Sequence, residues 1–234
     1  MSIYKIVLTC FTIAIFSLAI DAVKPKKISL SNYKEMQKGS LDGTIINNKG
    51  ELMLGPSIKK TAGPGSEYYL SIAIDKIGNR YIGTGHKGTV YKIDSQDKIS
   101  KLFDSNELDI YALLADGNGN LLVGSSPDGR IYRIDSSGKS KTFFNPDEKF
   151  IWDLVAHPNG YFYCAVGNSG GVYLIDKTGN GRKLFASEDP HIMKLYVAKN
   201  GSVYAGSGNK GLLYRITNQK IRVMFDSPLQ EIRG

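Results

Sequence analysis

The stretch Arg80-Tyr-Ile-Gly-Thr-Gly-His-Lys-Gly-Thr-Val-Tyr-Lys-Ile-Asp94 decides the fold. It returns as Leu121-Leu-Val-Gly-Ser-Ser-Pro-Asp-Gly-Arg-Ile-Tyr-Arg-Ile-Asp135, and twice more over residues 161–176 and 202–217. The step is 41 residues each time, from Gly88 to Gly129, Gly170 and Gly211, and from Tyr91 to Tyr132, Tyr173 and Tyr214. A constant period of this length marks an array of like units, none of which buries its apolar faces alone.

Each unit divides into four short strands. The first covers residues 68–75, 109–116, 150–157 and 191–198 and ends in a turn around Gly78, Gly119, Gly160 or Gly201. Three of those turns read Asn-Gly, which predicts type I′ hairpins. The second strand holds Tyr81, Leu122, Tyr163 and Tyr204. The third carries the Tyr-x-Ile pairs, and the fourth carries Phe103, Phe144, Phe185 and Phe225. Residues two apart share a strand face. The Tyr-x-Ile pairs therefore lie on one side, and Val90, Ile131, Val172 and Leu213 on the other. Strands apolar on both faces belong between neighbouring sheets. Four such strands per repeat predict an all-β fold, a β-propeller of four-stranded antiparallel blades.

Outside the four full repeats the pattern continues in part. Residues 41–55 place two apolar runs around Asn47-Asn48-Lys49-Gly50, a hairpin resembling the outer half of a repeat. Residues 226–234 match the start of another first strand, so the sequence predicts the N-terminal portion of a longer, incomplete ring. The propeller is expected over residues 41–234. Ahead of it, residues 1–22 have the order of a secretory signal peptide: Lys5, an apolar run over residues 6–20, then Asp21-Ala22. A run this short falls below the ~20 residues of a membrane span. Residues 23–40 are a basic lead-in with five lysines. The expected location is outside the cytoplasm, periplasmic or extracellular. A membrane contact would come only from an uncleaved leader or a segment beyond residue 234.

The repeat, apolar-x-x-Gly-Asn-x-x-Val-Gly-Thr/Ser followed by Gly-x-Val/Ile-Tyr-x-Ile-Asp, resembles bacterial exported propeller repeats. It is carried here by Gly78-Asn79, by residues 81–84 and 88–94, and by their equivalents. The group resembled includes the NHL, SMP-30/gluconolactonase-like and two-component-regulator-type propellers of the WD40/YVTN-like superfamily. True WD40 repeats end the third strand in Trp-Asp, whereas that position here reads Ile93-Asp94, Ile134-Asp135, Ile175-Asp176 and Ile216-Thr217. The single Trp152-Asp153 falls in a first strand. Quinoprotein repeats dock their blades with a tryptophan where this chain has phenylalanine, so no quinone is expected. The fold implied hosts many activities and names none.

In such a fold the innermost strand lines a central channel. The loops entering it carry Glu107, Asp109, Asp147, Glu148, Glu188 and Asp189. Two positions change from repeat to repeat: Tyr68, Asp109, Phe150, His191 at the mouth, and Ser71, Ala112, Asp153, Lys194 in the channel. Between them and the turns runs a steady column, Ile72, Leu113, Leu154, Leu195. Variation inside a repeated frame is where specificity is encoded. Asp109, Asp153, His191 and Lys194 are therefore the candidate ligand contacts, for a protein or small polar ligand. The plainer reading is a solvated rim in which Asp153 pairs with Lys194.

No catalytic residue, metal site or cofactor is expected. No nucleophile lies beside a base at a recognisable spacing. Asp116-Gly-Asn-Gly-Asn120 lacks the glycine and glutamate of a calcium loop and reads as a turn. Cys164 is the one cysteine outside the leader and is expected in the core. The net charge of +8 serves solubility, or a contact with an anionic cell-envelope polymer. No nucleic-acid partner is expected. The first expectation is thus an exported, non-enzymatic binding or scaffolding module. The alternatives are a hydrolase or lyase with a divalent metal in the channel, and the ectodomain of a membrane sensor.

Overall fold

The computed structural model describes residues 42–47, 49–56, 61–66, 68–218 and 220–233. The expected leader and basic lead-in lie outside the described residues. Among the described residues no helix is long and apolar enough to cross a membrane. The chain divides into two units, Met1–Lys60 and Thr61–Gly234.

The first unit contains an antiparallel hairpin, β1 (Thr44–Ile46) and β2 (Leu52–Leu54). Its turn is tied by Asn47, whose Oδ1 accepts from the amides of Lys49 (2.9 Å) and Glu51 (3.0 Å).

The second unit is a β-propeller array of four antiparallel blades, each of four strands in sequence order. Blade 1 is β3 (Tyr69–Ile74), β4 (Arg80–Thr84), β5 (Thr89–Ile93) and β6 (Ile99–Asp104). Blade 2 is β7 (Asp109–Ala115), β8 (Leu121–Ser126), β9 (Ile131–Ile134) and β10 (Ser140–Phe144). Blade 3 is β11 (Phe150–Ala156), β12 (Phe162–Gly167), β13 (Gly171–Ile175) and β14 (Gly181–Ala186). Blade 4 is β15 (Ile192–Val197), β16 (Val203–Ser207), β17 (Leu212–Thr217) and β18 (Lys220–Asp226). The first strands β3, β7, β11 and β15 neighbour one another in that order, so they form the inner wall.

The turns between first and second strands differ from the type I′ expectation. That turn needs positive φ at both central residues. In blades 1, 3 and 4 only the glycine after them has it, at +87° for Gly78, +87° for Gly160 and +79° for Gly201, while in blade 2 Gly117 at the first central position (+77°) has it beside Gly119 (+86°). Gly78, Gly160 and Gly201 each donate back three residues, to the carbonyls of Asp75, His157 and Ala198. These are type I turns closed by a left-handed glycine. In blades 1 and 2 an aspartate ahead of the turn clips the amides beyond it. Asp75 Oδ1 accepts from the amides of Ile77 (3.0 Å) and Asn79 (2.9 Å), and Asp116 Oδ1 does the same for Asn118 and Asn120. Asp116 is thereby a turn clip, as its sequence indicated.

The repeated columns build the seams between blades. Phe103 packs on Tyr132, Phe144 on Tyr173 and Phe185 on Tyr214, with ring centroids 5.0, 5.7 and 5.2 Å apart. The phenylalanine of one blade thus docks on the tyrosine of the next, in the role of the absent tryptophan. A second contact lies nearer the axis. Ile110, Ile151 and Ile192 are fully buried. Ile151 presses on Gly124 of the preceding blade so closely that a Cβ there would collide with its Cγ2. Ile110 stands in the same way over Gly83, and Ile232 over Gly206. The 41-residue glycine column has its own cause. Gly88, Gly129, Gly170 and Gly211 all have φ between +53° and +62°, and a Cβ on any of them would strike the backbone of the loop entering the next blade.

A blade face that no other blade covers among the described residues shows what the seams conceal. Leu113, Leu154 and Leu195 are 9%, 3% and 3% exposed, whereas Ile72 of the same column is 65% exposed on the uncovered face of blade 1. Phe225, which has no tyrosine to dock on among the described residues, is 54% exposed. Cys164 is fully buried, and burial pushes its thiol well above the ordinary value.

Candidate functional site

Each inner strand carries a β-bulge. Pairing with the second strand slips between Tyr69 and Ser71, Ile110 and Ala112, Ile151 and Asp153, and Ile192 and Lys194. The extra residues are Leu70, Tyr111, Trp152 and Met193, again 41 apart. A bulge breaks the two-residue alternation and re-aims a side chain. It lets Ile110 and Leu113, three apart, both enter the core, and it sends the residue between them elsewhere.

In the two central blades that residue is aromatic, and the result is a continuous row. Trp152 stacks on Phe150 (5.1 Å, 13° between planes) and meets Tyr111 of the preceding blade at 4.7 Å. His191 of the following blade stands edge-on to it at 5.7 Å. Such pairs each contribute about 0.5–1.5 kcal/mol beyond their buried area. The polar edges of the row are fixed as well. Trp152 Nε1 donates to His191 Nδ1 (3.1 Å), and Tyr111 Oη donates to Asp109 Oδ2 (3.3 Å). An indole nitrogen only donates, so His191 Nδ1 is the acceptor and the neutral ring carries its proton on Nε2. Burial, with the charge of Asp109, raises the Tyr111 hydroxyl pKa, which keeps it a donor.

The four candidate contacts fall into two groups. Asp109 and His191 belong to this row; Asp109 Oδ1 also accepts from the amide of His86 (2.9 Å). Asp153 and Lys194 lie in the channel, paired at 3.0 Å across adjacent blades as the plainer reading had it. Asp153 is itself buried, and its carboxylate accepts from the amides of Leu154 (3.0 Å) and Leu195 (2.8 Å). It therefore ties β11 to β15, while the Lys194 side chain stays about half exposed. A cavity of about 600 Å³ opens there, where Ser71, Asp153 and Lys194 stand among mostly apolar lining that includes Ile72, Leu113 and Leu154, with Tyr111 at its side. Sites for small ligands commonly span about 300–1,000 Å³. Tyr111 joins this cavity to the aromatic row.

The acidic entry loops split by position. Glu107, Glu148 and Asp189, 41 residues apart, are buried clips on the loop between second and third strands of their own blades. Glu107 accepts from the Asp128 amide (2.7 Å), and Asp189 from the Lys210 amide (2.8 Å). Glu148 accepts from Ser169, Tyr173 Oη (3.1 Å) and Lys183 Nζ (3.0 Å). Burial alone would raise its pKa, but the hydrogen bonds from Ser169 and Lys183 and the lysine charge together hold it below the ordinary value. His86 and His157 take other places: His86 stacks on Tyr68, and His157 Nε2 donates to the Gly201 carbonyl (2.9 Å). Among the described residues no group of three or more His, Cys, Asp or Glu is placed to hold a metal ion.

Sequence reasoning missed the row itself, apart from Phe150 and His191. The signal was present in Ile110-Tyr-Ala-Leu113 and Ile151-Trp-Asp-Leu154, where core residues stand three apart instead of two.

No protein-family profile and no curated protein matches the chain. Solved structures do match. Virginiamycin B lyase from Staphylococcus aureus aligns with TM-score 0.62 at 16% identity, over 80% of this chain and 63% of that one. A streptogramin B lyase aligns with TM-score 0.63 at 12% identity, over 80% and 62%. The extracellular domain assigned to a one-component system of B. thetaiotaomicron aligns with TM-score 0.58 at 17% identity, over 78% and 28%. The chain spans under two thirds of the length of these structures. At such identities the likeness establishes the propeller fold and leaves activity to the site.

Proposed function

We propose that this chain is an exported, non-enzymatic binding module whose propeller presents a small polar ligand or peptide site at the channel mouth. The observation that supports this most is the bulged aromatic row. Its rings are set on rigid strands, and its polar edges are satisfied by one another. Asp109, Asp153, His191 and Lys194 are engaged in holding Tyr111, β15, Trp152 and Asp153, which suits a preformed surface better than a reacting centre. Asp109 and His191 frame the row, and Lys194 stands over the adjoining cavity. Export rests on the leader pattern and is checked by cell fractionation: the protein is expected in the periplasmic or extracellular fraction.

The test is a thermal-shift screen of sugars, peptides and metabolites against the wild type and the Asp109→Ala/His191→Ala/Lys194→Ala triple variant. Ligands that stabilise the wild type are expected to lose their shift in the variant. Hits that shift both proteins equally would refute a mouth site. The rival reading is a lyase with a divalent ion, the activity class named for two of the structural relatives. It predicts a rise in melting temperature with magnesium, calcium, manganese or zinc, where the binding reading predicts none.

A further inference from the structure

Independently of the mouth reading, we infer that Asn118 is a site of spontaneous modification, where the side-chain amide is hydrolysed to aspartate or isoaspartate through a cyclic imide. Three of the turns between first and second strands carry Asn-Gly: Asn118-Gly119, Asn159-Gly160 and Asn200-Gly201. All three asparagines are exposed, so access of water does not distinguish them. The reaction begins with attack of the glycine nitrogen on the asparagine side chain. Glycine permits the approach because it has no Cβ and its backbone is free to turn. A backbone N–H already held in a hydrogen bond must first give that bond up.

The three turns differ in this respect. Gly160 N donates to the His157 carbonyl and Gly201 N to the Ala198 carbonyl, both at 2.9 Å. Their asparagine side chains are engaged too: Asn159 Oδ1 accepts from the Tyr161 amide (3.1 Å), and Asn200 Oδ1 from the Ser202 amide (3.0 Å). The turn of blade 2 is built otherwise. Gly117 and Gly119 both take positive φ, and Asp116 Oδ1 gathers the amides of Asn118 (2.8 Å) and Asn120 (3.1 Å). Among the described residues this leaves the Gly119 nitrogen and the Asn118 side chain without a hydrogen bond. A Cβ on Gly119 would meet nothing within 4 Å, so the imide has room to close. Solvent hydroxide takes the Gly119 N–H proton, and the nitrogen bonds to Asn118 Cγ. The Cγ–Nδ2 bond breaks, and Nδ2 leaves as ammonia with a proton from water. Water then opens the imide at either carbonyl, to give aspartate or isoaspartate. Either product lowers the net charge of +8 by one. Isoaspartate also lengthens the main chain by one carbon between the two amides that Asp116 clips.

The experiment incubates the full chain, folded and in denaturant, in mildly alkaline buffer made with heavy-oxygen water. Peptide mass spectrometry then follows incorporation of the label at each asparagine. Two hydrogen bonds, each a factor of about five in rate, hold back Asn159 and Asn200. In the folded protein Asn118 should therefore convert about 25 times faster than either. In denaturant those bonds are gone, and the three rates should converge, which shows that the fold and not the neighbouring sequence sets the order. Equal rates in the folded protein, or conversion of Asn159 or Asn200 ahead of Asn118, would overturn the proposal. So would a folded chain whose Asn118 stays intact over the time in which it converts in denaturant. An Asn118 that also leads in denaturant would assign its rate to local sequence and overturn the structural argument.

Discussion

The seams between blades and the mouth of the channel are built from the same inner strands, yet they obey opposite rules. At the seams one set of contacts recurs from blade to blade: Ile110, Ile151 and Ile192 buried between blades, phenylalanine over tyrosine, glycine under a loop. At the mouth the bulge position reads Leu70, Tyr111, Trp152 and Met193, and the position two before it reads Tyr68, Asp109, Phe150 and His191. One strand serves both because the bulge separates them: Ile151 and Leu154 face the core and Trp152 between them does not. The difference teaches that repetition marks what holds blades together, and departure from it marks what the molecule presents.

Substitutions on either side can break that contrast. The largest effect belongs to the seam. Ile151→Ala empties a fully buried site between two blades. It should cost about 3 kcal/mol, seen as a fall of about 6–12 °C in melting temperature. Glu148→Ala comes next. It removes the acceptor shared by Ser169, Tyr173 and Lys183, at about 2 kcal/mol in a denaturant titration. The same carboxylate gives a pH signature. Its folded pKa is lowered, so its stabilisation is complete above the unfolded carboxyl value and disappears as pH falls through the folded one. Wild type should therefore lose stability below about pH 4 more steeply than Glu148→Gln. Asp116→Ala removes a turn clip on the far rim and should cost about 1 kcal/mol. The smallest effects are expected at the mouth. Asp109→Ala or His191→Ala, each losing a hydrogen bond to the Tyr111 or Trp152 side chain, should change stability by about 0.5 kcal/mol in the same titration.

Much of the fold could be read from the residues. The 41-residue step fixed four strands per unit, and the double-faced apolar third strand required neighbours on both sides. The seam contacts were legible as columns, though not as partners: nothing in Phe144 says that it rests on Tyr173. The turns at Asn159-Gly160 and Asn200-Gly201 were misread because the glycine was counted as a central residue, whereas it follows the two central residues. In those two turns only the glycine needs positive φ, whereas in the turn after Asp116 both Gly117 and Gly119 take it. The site was half legible. Variation singled out Asp109, Asp153, His191 and Lys194, but strict alternation left Tyr111 and Trp152 without a place. Their role depends on a register slip that period-two reasoning does not contain.

The most direct test is a stability scan that replaces each residue of β7, 109–115, with all others and scores folded protein by protease resistance. The account predicts an irregular profile: Ile110, Ala112 and Leu113 intolerant, with Asp109 and Tyr111 accepting most polar residues. If Tyr111 proved as intolerant as Ile110, the aromatic row would be part of the frame, and the separation of seam from mouth would be contradicted.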